Sequence, residues 1–182
     1  MNRNQRSGIR TALITESGAR VEQIRLRVGW QVDVDLEVGF TCRVACLGFD
    51  GRSNPLFNRV VRPLVLPQGF DIKYPIGPDG GRFDILLGDL PQKLRAVYVA
   101  VGSTPKTANA QLPAIQARIY DPVENESYGE FRATSGSPGA MLAFRLVHDR
   151  AGTWYVETLG VRVGHALRWN DAQKHLRENP ID

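Results

Sequence analysis

Cysteine is nearly missing from this 182-residue chain, which holds only Cys42 and Cys46, and histidine occurs three times, at His148, His165 and His175. So few cysteines exclude a disulfide scaffold. The two thiols fall four apart in a segment of strand pattern, about 13 Å at 3.3 Å per residue, too far to bond to each other. A zinc site would need two further ligands, and the histidines lie far downstream without metal-ligand spacing. Buried, reduced thiols are therefore expected. Long apolar runs are missing as well: the longest nearly uncharged one, Ala96 to Val101, is far short of the roughly 18 residues that span a bilayer. No membrane insertion is expected. Met1 to Arg10 is basic but is followed by no apolar core of a secretory signal, so a cytoplasmic location is expected. Lysine is scarce too, at four of 23 basic residues, and arginine suits bidentate pairing with carboxylate or phosphate.

What is present is ordinary for a folded domain, with 42% hydrophobic and 23% charged residues, a balance that excludes disorder. At this length one core can bury about 70% of the unfolded surface without a metal or staple. The formal net charge is +4, and residues 1 to 30 account for all of it, with Arg3, Arg6, Arg10, Arg20, Arg25 and Arg27 against Glu16 and Glu22. The expected organisation is a basic arm, residues 1–20, ahead of a single domain, residues 21–182.

The strongest pattern has period two. Ile24, Leu26, Val28, Trp30, Val32, Val34, Leu36, Val38 and Phe40 occupy every even position, and Arg25, Arg27, Gln31, Asp33, Asp35 and Glu37 lie between them. That is strand pattern with one buried and one wet face, too long for a single strand, so a break or bend is expected near Trp30 to Val34. Through Cys42, Val44 and Cys46 the phase continues while Ala45 and Leu47 make the other face apolar, marking a strand inside the core. Phe49 to Asn54 reads as a turn in which the Asp50-Gly51 pair tolerates positive φ. Residues 63 to 82, with four prolines and four glycines, read as a long irregular stretch with few short strands. Ala96 to Val101, Ile115 to Ile119, Tyr128 to Ala133, Met141 to Val147 and Thr153 to Leu159 read as further strands, with Ser103 to Pro113 a polar loop. Ala166, Trp169, Ala172, Gln173 and Leu176 fall at helical spacing, with Asn170 as the cap and Pro180 as the stop. The expected fold is mainly β, a two-sheet antiparallel β-sandwich with a short C-terminal helix.

Several motifs carry a family likeness. Val28-Gly29-Trp30, then Asp35-Leu36-Glu37 and Phe40, the turn at Asp50-Gly51 and the glycine-rich loop ahead of Phe83 to Pro91 resemble the TerD family. So does the later order: the strand Arg95 to Val101, a strand ending at Asp121 before an acidic turn, Ala140-Met141 leading to Trp154-Tyr155-Val156, and Gly160 to Leu167 at the end. The likeness covers about residues 20 to 170. It implies a compact β-sandwich, association with bacterial tellurium-resistance and stress-response gene clusters, other stress-response or Ter-type proteins as partners, and no enzymatic activity. It also implies calcium held by carboxylates from two loops, here Asp35, Glu37 and Asp79, joined by Asp33. The chain departs from that pattern at Gln31, where the family has an acid, at Glu37, where it has Asp, and at Pro78, Gly80 and Gly81 around Asp79. Calcium takes six to eight oxygens, and affinity falls as carboxylates are removed. One weakly held ion is one reading of these acids; the other is a solvated strand face pairing Asp33, Asp35 and Glu37 with Arg25 and Arg27.

Enzyme motifs are poorly matched. Ser135-Gly136-Ser137 lacks the glycine two before the nucleophile of an elbow. His148 and Asp149 are neighbours on a strand end, pointing opposite ways. Gly77 to Gly81 has neither the Lys-Ser/Thr pair nor the helix of a phosphate loop. Arg3, Arg6 and Arg10 are the candidate partner contacts. Two alternatives to the calcium reading stand: a metal-independent scaffold, and a nucleic-acid-associated module using the arginine-rich arm. The second is the weaker, because no aromatic residue interleaves the arm as stacking on bases requires.

Overall fold

The alternation at Ile24 to Trp30 produces what period-two burial demands: in the computed structural model these even residues are buried while Arg27 between them is exposed. The structure describes residues 9–31, 42–60, 68–77, 80–103, 111–112, 114–134, 137–138, 140–163 and 169–181. Its strands run β1 (Arg10–Ala12), β2 (Gln23–Gln31), β3 (Cys42–Asp50), β4 (Pro55–Val60), β5 (Phe70–Gly77), β6 (Gly80–Leu86) and β7 (Leu94–Ser103). They continue as β8 (Gln111–Leu112), β9 (Ala114–Tyr120), β10 (Ser127–Ala133), β11 (Ser137–Pro138), β12 (Ala140–His148) and β13 (Trp154–Val163), before helix α1 (Trp169–Glu178). A six-stranded sheet in the order β1-β13-β12-β7-β3-β4 faces a five-stranded sheet in the order β10-β9-β2-β6-β5, all pairs antiparallel. The result is the β-sandwich with a short C-terminal helix that the pattern predicts.

The sandwich core lies between the sheets, where Ile24, Leu26, Val28, Phe83, Ile85, Ile115 and Ile119 meet Val44, Cys46, Val97, Val99, Phe144 and Val156. Strands β3, β7 and β12 are apolar on their second face too, because α1 covers it. Ala172 and Leu176 of the helix join Ala45, Leu47, Phe49, Ala96, Tyr98, Ala100 and Leu142 in a second, smaller core. The helix begins at Trp169, so Asn170 lies within its first turn rather than at the cap position, and Pro180 follows its end.

Three sequence expectations are corrected. Residues 70 to 86, inside and beyond the stretch read as mostly irregular, form the β5–β6 hairpin. Pro75 is accommodated because β5 is an edge strand whose register shifts on either side of Tyr74, and proline is confined to such edges and bulges. In the turn after β3 the positive φ falls on Ser53, at 62°, and not on Gly51. Asp50 makes the turn instead, its carboxylate accepting the N–H groups of Arg52 and Asn54, each at 2.8 Å. Residues 111–112, expected in a polar loop, pair with Ser137–Pro138 as a short ribbon.

Within the basic N-terminal segment, Arg10–Ala12 joins the six-stranded sheet as β1. β1 pairs with β13, Leu13 is buried and its N–H donates to Trp154 O at 2.8 Å.

Candidate functional site

The carboxylates expected to hold calcium, Asp33, Asp35, Glu37 and Asp79, lie outside the described residues, as do Arg3 and Arg6. What the structure places is the backbone on either side of them. β2 ends at Gln31, two residues before Asp33, and β6 begins at Gly80, immediately after Asp79. These ends are neighbours: Gly29 pairs with Gly80 across β2–β6, and Gly80 pairs with Gly77 across the hairpin. Among the described residues no three His, Cys, Asp or Glu side chains converge as a metal-ligand set.

The approach of the two segments requires glycine at position 80. Its φ is 126°, and a Cβ there would stand 2.1 Å from Val28 O and 2.8 Å from Gly29 Cα. No side chain fits that space, so the first residue of β6 lies directly against the β2 backbone.

Arg10 is held by its own sheet. Its guanidinium lies 4.1 Å over the Tyr155 ring and 3.9 Å from Glu157. Arg25, which the solvated-face reading pairs with Asp33 to Glu37, has another partner. Its Nε and Nη2 donate to Asp84 at 2.6 and 2.8 Å, and Gln23 donates to the same buried carboxylate. Cys46 is a free, fully buried thiol, its pKa pushed up by burial; the Cys42 side chain lies outside the described set.

At the opposite end of the sandwich, where β2 begins and β6 ends, a cleft of about 1000 Å³ opens over Leu13, Val21, Leu87, Leu90, His148 and Trp154. His148 stacks on Trp154 with ring centroids 4.6 Å apart, and its Nδ1 lies 3.1 Å from Arg95 Nη1. Asp149 makes no acid–base pair with it, because its Oδ1 accepts the Thr153 N–H at 2.8 Å and closes the turn. Sequence spacing gave no signal for this cleft, whose walls come from four separate stretches of chain.

Burial, and then Arg95, lower the His148 pKa; burial, and then Arg145, lower that of His175, whose Nδ1 meets Tyr98 OH at 3.0 Å. A histidine whose folded pKa is depressed takes its proton more readily in the unfolded chain. Stability is then fully present above the unfolded value of about 6.5 and falls as the pH drops through it. The expected result is a lower thermal midpoint at pH 5.5 than at pH 7.5, with a smaller difference in a His148→Gln/His175→Gln variant. Equal slopes in the two proteins count against this assignment.

No model of a known protein family and no curated protein matches the chain. Solved structures do. A homologue of the telluride resistance protein TerD from Streptomyces coelicolor aligns over 79% of this chain and 90% of its own, with a TM-score of 0.65 at 9% identity. A protein of unknown function aligns over 81% of this chain and 99% of its own, with a TM-score of 0.61 at 12% identity. The architecture is thus shared across nearly the full length of both, at identities where only the fold is common. The chain is a TerD-like β-sandwich.

Proposed function

We propose that this protein is a non-catalytic, TerD-like stress-response domain that acts by binding other proteins and holds one calcium ion weakly. The observation that carries this reading is the shared fold with a TerD homologue over 79% of the chain. The juxtaposition of Gly29 and Gly80 supports the calcium part, since Asp33, Asp35 and Glu37 follow the end of β2 and Asp79 precedes Gly80. Three or four carboxylates with loop carbonyls suit the oxygen preference of calcium, and the substitutions at Gln31, Gly80 and Gly81 leave too few acids for two tight sites.

Calorimetric titration with calcium, alongside thermal unfolding, tests it. Heat of binding is expected from the native chain, and at a hundredfold excess over Kd a stabilisation of about 2.7 kcal/mol. Asp35→Asn with Glu37→Gln is expected to abolish both. A native chain that gives neither heat nor stabilisation overturns the calcium reading. For the partner, affinity capture with an Arg3→Gln/Arg6→Gln chain leaves β1 intact, and recovery equal to that of the native chain removes the arm from the interface.

A further inference from the structure

Strand order builds the cleft at the end of the sandwich away from Gly29 and Gly80. In the five-stranded sheet β2 lies between β9 and β6 and is antiparallel to both. Glu22, the residue before β2, therefore stands beside the segments that follow β6 and β9. Each of these brings an acid, Asp89 three residues beyond Leu86 and Asp121 immediately beyond Tyr120. A hydrogen bond from Leu87 N to Glu22 O, 2.8 Å long, fixes the first of the two junctions. All three acids line the cleft of about 1000 Å³. Glu22 and Asp89 are exposed, whereas the lining residues Leu13, Val21, Leu87, Leu90 and Trp154 are buried, so an acidic mouth lies over an apolar floor.

The charges in the wall do not cancel. Arg20 is the cation among the lining residues, and its Nη2 is engaged at the β12–β13 turn, donating to Ala151 O at 3.1 Å. His148 adds no charge. An arginine can only donate, so the 3.1 Å contact from Arg95 Nη1 makes Nδ1 an acceptor, which requires the neutral ring. Asp121 is buried and closes the turn after β9, its Oδ1 accepting the Val123 and Glu124 N–H groups at 2.6 and 3.1 Å. Glu22 and Asp89 have no such local duty, and neither makes an ion pair among the described residues. The wall thus carries three negative charges against one positive, in a chain whose formal net charge is +4.

We propose that this cleft binds a small organic cation, an ammonium group on an apolar or aromatic body, with Glu22 and Asp89 holding the ammonium and Leu87, Leu90 and Trp154 meeting the body. Small-molecule sites are concave, about 300–1,000 Å³ in volume, mostly apolar and set with a few polar groups that fix orientation. The sign of the wall disfavours an anion, which would meet like charge as it lost water. A neutral body of the same shape would fill the floor but cover the carboxylates without pairing them, and that costs free energy. An ammonium on an apolar body satisfies both parts of the wall. The cleft is separate from the segments of the calcium reading, which adjoin the opposite ends of β2 and β6.

Three probes with one indole body and different charge, tryptamine, tryptophol and indole-3-acetate, test this by NMR titration of the full chain at neutral pH. Tryptamine, with about 12 non-hydrogen atoms, is expected to bind with a Kd of about 2 mM or tighter. Its affinity should exceed that of tryptophol about fivefold or more, with indole-3-acetate the weakest of the three. The shift changes should centre on the amides of Glu22, Leu87 and Gly88 and on the His148 ring. Glu22→Gln with Asp89→Asn is expected to remove the advantage of tryptamine over tryptophol while leaving the thermal midpoint near the native value, because both residues are exposed. Glu130→Gln with Glu178→Gln removes two charges from exposed residues outside the cleft wall and should keep that advantage. No binding of tryptamine at about 10 mM overturns the proposal. So does binding of tryptophol or indole-3-acetate as tight as that of tryptamine, so do shift changes confined to other parts of the chain, and so does an equal loss in the two variant pairs.

Discussion

Gly80→Ala is expected to lower stability by about 3 kcal/mol or more, a fall of roughly 6–12 °C in thermal midpoint for a chain of this size. Two effects combine. A non-glycine residue at φ 126° is strained by about 1–3 kcal/mol, and the added methyl would sit 2.1 Å from Val28 O, backbone that cannot swing aside like a side chain. To relieve the clash β6 separates from β2 at its first pair, Gly29 with Gly80. Gly88→Ala is the control, because a Cβ there meets nothing within 4 Å, and its effect is expected within about 0.5 kcal/mol. Thermal unfolding of the two variants checks this; similar midpoints would mean that Gly80 does not pack on Val28 as described. The prediction reaches the proposed calcium site as well. Asp79 directly precedes Gly80 in the sequence, so on the proposed calcium reading the alanine variant is expected to lose calcium heat along with stability.

The sequence made some of this legible and hid the rest for physical reasons. β2 was readable because one face is wet: Ile24 to Trp30 had to alternate with Arg25 and Arg27 to separate core from solvent. β3 and β7 were readable as strands because their apolar runs are short, yet the same runs could not say what covers their second face. Among the described residues, the helix that does so contributes Ala172 and Leu176 to that core. The β5–β6 hairpin was hidden by composition. Pro75 and the glycines argue for loop, and only the sheet-edge position of β5 and the tight approach of Gly80 to β2 make them compatible with strand.

The arginines of the five-stranded sheet illustrate a further limit: pairing sets Arg27 of β2 opposite Arg82 of β6 and Arg118 of β9. Arg27, Arg82 and Arg118 lie 55 and 36 residues apart in the chain, with Arg132 14 further on, and a linear count puts Arg27 in the N-terminal excess. Register alone brings three of them into one row. The same holds for Asp84, whose bidentate pairing with Arg25 has no sign in the local sequence. A strand's own alternation is local information, but the residue opposite it depends on which strands pair.

Arg145→Met is expected to cost about 3 kcal/mol, whereas Arg145→Met with Glu157→Leu should recover most of it. Arg145 and Glu157 face each other across β12 and β13 beneath the end of α1, with side chains 8% and 11% exposed and Nε to Oε2 at 2.6 Å. Arg145 Nη1 also donates to Asn179 O at 2.5 Å, so one buried cation joins the sheet to the end of the helix, where carbonyls lack partners. Burial opposes the charged guanidinium, but Glu157 and Tyr98 outweigh it and hold the Arg145 pKa above its ordinary value. Removing the arginine alone leaves Glu157 as a buried charge with, among the described residues, Arg10 3.9 Å away to compensate, and breaking such a pair typically costs 3–5 kcal/mol. Removing both partners replaces two desolvated ions with apolar volume, which is often neutral. A double-mutant cycle on thermal stability, with amide exchange across α1, separates the two effects. The single variant should expose the helix amides to exchange and the double should partly protect them. A single variant within about 1 kcal/mol of native would mean that the pair is solvated, and that Ala172 and Leu176 hold the helix on the sheet without it.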